Sequence, residues 1–134
     1  MPEKNSPQQP IVQSVWVDCP VAEAFRLFTE GFAEWWPEPC ALEPRPGGRI
    51  FKRTKDHKEE EWGTITLWEP PARLEFTWHP GRAEDRRGTV QVEFQVEADG
   101  TRVTVIHYGW SAPQWNTILN RCFATAAQQL PVAR

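Results

Sequence analysis

Residues 89–107 read TVQVEFQVEADGTRVTVIH, and their two-residue period decides the fold. Val90, Val92, Phe94 and Val96 alternate with Gln91, Glu93, Gln95 and Glu97. A strand sends successive side chains to opposite faces, so this alternation describes a strand with one dry face and one wet face. Asp99-Gly100 reads as a tight-turn dipeptide. Beyond it Val103, Val105 and His107 return along one face. The stretch is an antiparallel pair, and it aims His107 to the side where the valines are buried.

The same reading extends towards the N-terminus. Leu74, Phe76 and Trp78 alternate with Arg73, Glu75 and Thr77, which predicts another half-buried strand. Trp62–Trp68 and Arg49–Thr54 give two more, joined through the charged stretch Lys52–Glu61, a solvated hairpin. Gly47-Gly48 and Pro70-Pro71 mark turns. Ile11–Asp18 is a strand with Val15 and Val17 on one face and Trp16 on the other. Pro20 suits the first turn of a helix, where its missing N–H costs nothing. Val21, Ala24, Phe25 and Phe28 then follow at helical spacing, and Gly31 interrupts. Phe32–Trp36 makes one more short turn, stopped by Pro37 and Pro39. At the other end Pro113 opens a helix of about four turns. Trp115, Ile118, Leu119, Cys122, Phe123, Ala126 and Leu130 form its apolar stripe. That stripe needs an apolar surface, and the dry face of the sheet is the one available. The chain is therefore α+β: a curved antiparallel sheet of about six to seven strands, two short helices after the first strand, and a long C-terminal helix.

Bulk properties narrow the function. The 134 residues suit one domain, 11–134, behind a flexible tail at 1–10. Net charge is −3, so no overall positive field draws the protein to nucleic acid. No apolar run approaches the roughly 18 residues of a membrane span, and the first ten residues lack the apolar core of a signal peptide. The three cysteines (Cys19, Cys40, Cys122) are scattered, which fits reduced thiols and a cytoplasmic setting. His57, His79 and His107 show no metal-ligand spacing. Neither a G-x-S-x-G elbow nor a phosphate-binding glycine loop occurs, so the sequence calls for no metal and no cofactor. Eight Trp and seven Phe stand against one Tyr and one Met. That balance describes a broad apolar face, a lined cavity or a heavily aromatic core.

Several motifs in this order resemble one family. They are Cys19-Pro20 with Val21–Thr29, Trp35-Trp36-Pro37, Pro46-Gly47-Gly48-Arg49, Gly63-Thr64-Ile65 with Glu69–Trp78, and Gly100–Val103 with His107–Trp110. Together they resemble the activator of heat-shock-protein ATPase homologue-like family, in the START-like (SRPBCC) superfamily of helix-grip domains, over about Val15–Leu130. The resemblance implies a helix-grip fold with a cavity between sheet and C-terminal helix. Its members include stimulators of chaperone ATPases in the stress response, binders of small apolar molecules, and enzymes such as polyketide cyclases. A shared fold does not choose among these.

The cavity reading selects Trp36, Phe51, Trp78, Phe94, His107, Trp110, Trp115, Leu119 and Phe123 as its wall. Trp35, Trp62 and Trp68 fall to the outer rim. His107 is either a ligand-facing acid, base or hydrogen-bonding group, or a core histidine satisfied by a carbonyl or an indole N–H. Plain core packing is the competing account for each Trp. The leading expectation is a non-catalytic binder of a small apolar, aromatic or lipid-like molecule, acting as monomer or homodimer. The alternatives are a module for a chaperone or other protein partner, and a cyclase- or hydrolase-type enzyme using the same cavity.

Overall fold

The computed structural model describes residues 9–80, 87–110 and 112–130, so most of the expected tail at 1–10 and the charged residues Arg82, Glu84, Asp85 and Arg86 lie outside the described residues. In chain order the elements are β1 (Ile11–Val17), α1 (Val21–Thr29), α2 (Phe32–Trp35), β2 (Ala41–Leu42), β3 (Arg49–Arg53), β4 (Glu59–Glu69), β5 (Arg73–Trp78), β6 (Gly88–Glu97) and β7 (Gly100–Gly109). A final helical run follows in three consecutive segments: α3 (Trp115–Thr117), a π-helical segment (Ile118–Phe123) and α4 (Ala124–Gln128). The strands form one seven-stranded sheet in the order β1-β7-β6-β5-β4-β3-β2, antiparallel at each pairing. This is the predicted order of elements, with the two-residue β2 added, a strand too short to show alternation.

The inner face is the one the alternation predicted. Leu74, Phe76, Trp78, Val90, Val92, Phe94, Val103, Val105 and His107 are all buried there. Val96 breaks the series, being 73% exposed near the end of β6. The final helix lays Trp115, Ile118, Leu119 and Phe123 onto this face. The expected stripe then slips by one residue: Ala127 is buried, whereas Ala126 is half-buried. The cause is the π-helical segment, where the Ala124 N–H reaches the Leu119 carbonyl five residues back. A wider turn of this kind delays the rotation of the residues that follow it.

The hairpin between β6 and β7 also departs from the sequence reading. Glu97 pairs with Gly100, so the loop residues are Ala98 and Asp99 rather than Asp99-Gly100. Ala98 takes φ of 54°, a left-handed conformation in which its Cβ is crowded. Gly100 is needed for a different reason. A side chain there would collide with the Val17 carbonyl and the Trp16 ring as β1 passes alongside.

Two outcomes follow for denaturation experiments. Ala98→Gly relieves the left-handed alanine and should stabilise the protein by about 1 kcal/mol. Phe123→Ala empties a site wedged between Phe28 and Trp35, whose ring centroids lie 5.6 and 5.1 Å away, and should cost about 3–5 kcal/mol. A midpoint unchanged by the second substitution would mean that the helix is only loosely docked.

Candidate functional site

Six of the nine expected wall residues lie in one continuous hydrophobic core, and His107 is buried beside Trp115. At its deep end Phe94 meets Phe25 and Phe28 at 5.0 and 5.7 Å between centroids. Phe123 packs between Phe28 and Trp35, and Leu119 is fully buried in the same cluster. At the other end Trp36 lies flat on Phe32, 5.0 Å away at 16°. Its edge meets Trp78 at 5.2 Å and Trp115 at 5.7 Å. Trp110 is half-buried just past Gly109, which pairs with Gly88, the residue opposite Trp78. Aromatic rings thus crowd the space between sheet and helix where the sequence reading placed a cavity, with core packing as the competing account. A groove of ≈ 490 Å³ lies elsewhere, beside α1 and α2, lined by Glu23, Arg26, Leu27, Glu30, Gly31, Glu34 and Leu130.

Phe51 is not brought to this site. It is buried but outside the core, under the Arg49 guanidinium at 4.6 Å and near that of Arg53 at 6.0 Å. Its neighbour Ile50 takes the inward position, and adjacent strand residues face opposite sides. Two residues assigned to the rim are core residues instead. Trp35 is buried against Phe28, Phe32 and Phe123. Trp62 is buried against Trp78 at 5.6 Å, with its N–H held by the Glu60 carboxylate at 3.0 Å. The register of β3 against β4 slips here: Phe51 faces Glu61 while Ile50 faces Gly63, leaving Trp62 as the extra residue. A bulge re-aims its extra side chain, which period-two reading cannot foresee.

His107 is 1% exposed, and both its ring nitrogens are engaged. The Trp115 indole N–H donates to Nδ1 at 3.0 Å. An indole nitrogen only donates, so Nδ1 must be the unprotonated nitrogen. Nε2 therefore carries the hydrogen and donates it to the Trp110 carbonyl at 2.8 Å. Burial holds the imidazole below its ordinary value of 6.5, outweighing the carbonyl, which favours the charged ring. Gly88 makes room for this arrangement, since a side chain there would strike His107 Nε2 and the Trp110 carbonyl. Among the described residues no carboxylate is a hydrogen-bond partner of the ring. The other buried histidine, His79, has Glu61 at 3.8 Å.

Seven of the eight indoles divide into two groups. Trp16, Trp35, Trp62 and Trp115 donate to the Glu97 carbonyl, the Leu27 carbonyl, Glu60 and His107 respectively. The Nε1 atoms of Trp36, Trp78 and Trp110 are buried and meet no acceptor among the described residues. Sequence reasoning found these three residues by their position but not this property, which depends on where carbonyls fall in space. Burial pushes Cys19 up to about 11 and Cys40 up to about 12, so neither is a thiolate at neutral pH. Among the described residues no group of three or more His, Cys, Asp or Glu is placed to hold a metal ion, and no helix is long and apolar enough to cross a membrane.

A family profile described as Activator of Hsp90 ATPase homolog 1-like protein matches residues 18–130. No curated protein matches the sequence. Among solved structures the chain is similar to a protein from Nitrosomonas europaea, at 19% identity and a TM-score of 0.67, over 90% of this chain and 95% of that one. It is similar to the Aha1 dimer from Colwellia psychrerythraea, at 14% identity and a TM-score of 0.65, over 82% of this chain and 90% of that one. These two likenesses bear on the fold alone. A third neighbour is the anthrahydroquino-gamma-pyrone synthase Txn09, at 29% identity and a TM-score of 0.63, over 93% of this chain and 99% of that one.

The His107 geometry fixes a pH response. The unfolded ring takes up a proton as pH falls below about 6.5, while the folded ring resists it. The stabilisation is therefore complete above that pH and is lost as pH falls towards the folded value. Denaturation midpoints should drop below pH ~6.5, and His107→Phe should remove that part of the slope. At neutral pH the same variant should be less stable by about 1–3 kcal/mol, because the Trp115 N–H loses its acceptor. A slope unchanged by the substitution would place the responsible proton elsewhere.

Proposed function

The chain belongs to the activator of Hsp90 ATPase homolog 1-like family, and on that premise we propose that it binds a small, flat, oxygen-bearing aromatic or lipid-like molecule. The site is the end of the sheet–helix core where Trp36, Trp78 and Trp110 gather. The single observation that carries this reading is the trio of buried indole N–H groups without an acceptor among the described residues. Each such donor costs about 1–3 kcal/mol relative to one that is paired. The same fold pairs four other indoles, at 2.8–3.0 Å where the acceptor is a carbonyl or a carboxylate. A molecule presenting carbonyl or hydroxyl oxygens to the trio would recover that cost, and the flanking rings would cover its apolar body.

The likeness to a synthase over nearly the full length of both chains favours a second reading, in which the bound molecule is also transformed. His107 is poorly suited to start such a reaction, because both its nitrogens are already engaged. A catalytic role would require the Trp115 hydrogen bond to open when the ligand enters. The third possibility, a module acting on a chaperone ATPase, has the family's description as its support.

Titration with paired compounds separates these readings. An oxygen-bearing polycyclic aromatic should shift tryptophan fluorescence and raise the melting temperature, adding about 2.7 kcal/mol at a hundredfold excess over its Kd. Trp78→Phe keeps a ring and removes one donor. It should weaken the oxygen-bearing compound about tenfold or more and leave a hydrocarbon of the same shape almost unaffected. Turnover of the bound compound by the parent, abolished in His107→Phe with binding retained, would select the enzyme. If no compound changes fluorescence or melting, small-molecule binding is wrong and the protein-partner reading replaces it.

A further inference from the structure

Glu23, Arg26, Leu27 and Glu30 recur at i, i+3, i+4 and i+7, so they share one side of α1 and its C-terminal cap. That side walls the groove of ≈ 490 Å³, which Glu34 of α2 and Leu130, just past the final helix, help to complete. A second groove of ≈ 350 Å³ adjoins it, because Arg26 and Glu30 line both. On its far side stand Trp68 and Phe25, packed edge to face at 5.2 Å, with Pro70 and Pro71 beside them. The shared residues join the two into one elongated course over α1, from Leu130 to Trp68.

This course is apolar at its base and acidic at its lip. Leu27 is buried and Leu130 half-buried, whereas Glu30 and Glu34 are exposed and Glu23 is half-buried. Among the described residues no ion pair engages Glu23, Arg26, Glu30 or Glu34. Three carboxylates against one guanidinium leave negative charge in excess. They are spread along the helix rather than gathered on one point, and among the described residues no acidic group is placed to hold a metal ion. Nucleic acid, anionic lipid and the same face of a second copy would all be repelled. Cations carried on apolar stems are what this surface complements, since the stems can lie on leucine or over an indole ring.

We propose that this side of α1 docks an extended, basic and leucine-bearing segment of a partner protein. Its apolar side chains seat on Leu27 and Leu130, its cationic heads meet Glu30 and Glu34, and a further cation reaches the Trp68 ring. Exposed ion pairs add little affinity, so the apolar base holds the segment and the carboxylates decide which segments are accepted. Arg26, the one cation in the lining, opposes binding. The length of the course suits an extended chain, because both grooves fill together only if one occupant crosses Arg26 and Glu30.

Fluorescence anisotropy with two labelled probe peptides tests the proposal on the full chain. One probe alternates arginine with leucine, and the other alternates glutamate with leucine. The arginine probe should bind saturably and more weakly as salt rises, and the glutamate probe should not bind. Glu30→Lys changes an exposed lip position, so the melting temperature should hold while the arginine probe weakens about fivefold or more. Arg26→Gln should tighten the same probe about twofold. Asp56→Lys makes the same change of net charge as Glu30→Lys, but on the exposed turn between β3 and β4, and should leave binding unchanged. Failure of the arginine probe to bind would overturn the proposal. Equal weakening by Asp56→Lys would also overturn it, by tracing the attraction to overall charge. So would equal binding of both probes, which would make the contact apolar alone. A dimer of the parent that Glu30→Lys dissociates would give the face to a second copy instead. None of these outcomes depends on whether the indole site binds a small molecule.

Discussion

The final helix is tied to the sheet by hydrogen bonds that run in one direction. Trp115 donates to His107, and His107 donates to the Trp110 carbonyl. Because an indole nitrogen cannot accept, this chain of donors fixes the histidine tautomer and keeps the ring neutral. It also ties together the end of β7, the segment just after Gly109 and the start of the helix. Gly88 leaves the room for it. With Trp115 held in this way, Trp36 packs against it and Trp78 packs against Trp36. The candidate site is the consequence of that anchoring.

The same constraint explains why the site is incomplete. The segments that pack the core bring ring after ring to one end of the sheet, but a ring stack offers few oxygens. Four indoles reach a partner because a carbonyl, a carboxylate or an imidazole lies beside them. Trp36 and Trp78 meet ring surfaces instead, and the Nε1 atoms of Trp36, Trp78 and Trp110 find no acceptor among the described residues. Family membership gives the fold and does not choose the function. The unmet donors are a property of this chain.

Strand alternation made most of the fold legible. The inner faces of β5, β6 and β7, the two short helices and the helix that covers them could all be read from spacing. Errors arose where a local irregularity reset the period. The bulge opposite Ile50 and Phe51 turned Trp62 inward and left Phe51 under Arg49. The π-helical segment moved the buried position from Ala126 to Ala127. Ala98 accepted a left-handed turn that the sequence assigned to the following pair. The site was legible as a group of residues, because apolar periodicity places them under the helix. Which indoles lack acceptors was not, since that depends on carbonyl positions set by tertiary packing.

The central claim is that the three unpaired indoles are the ligand's handholds. Nitrogen–proton correlation spectra report each of the eight indole N–H groups separately, and a titration with an oxygen-bearing aromatic compound asks them directly. The account predicts that the Trp36, Trp78 and Trp110 signals move downfield and become protected from exchange, as donors do on gaining an acceptor. Trp115, already bound to His107, should hardly move. A compound that binds tightly while those three signals stay in place would contradict it.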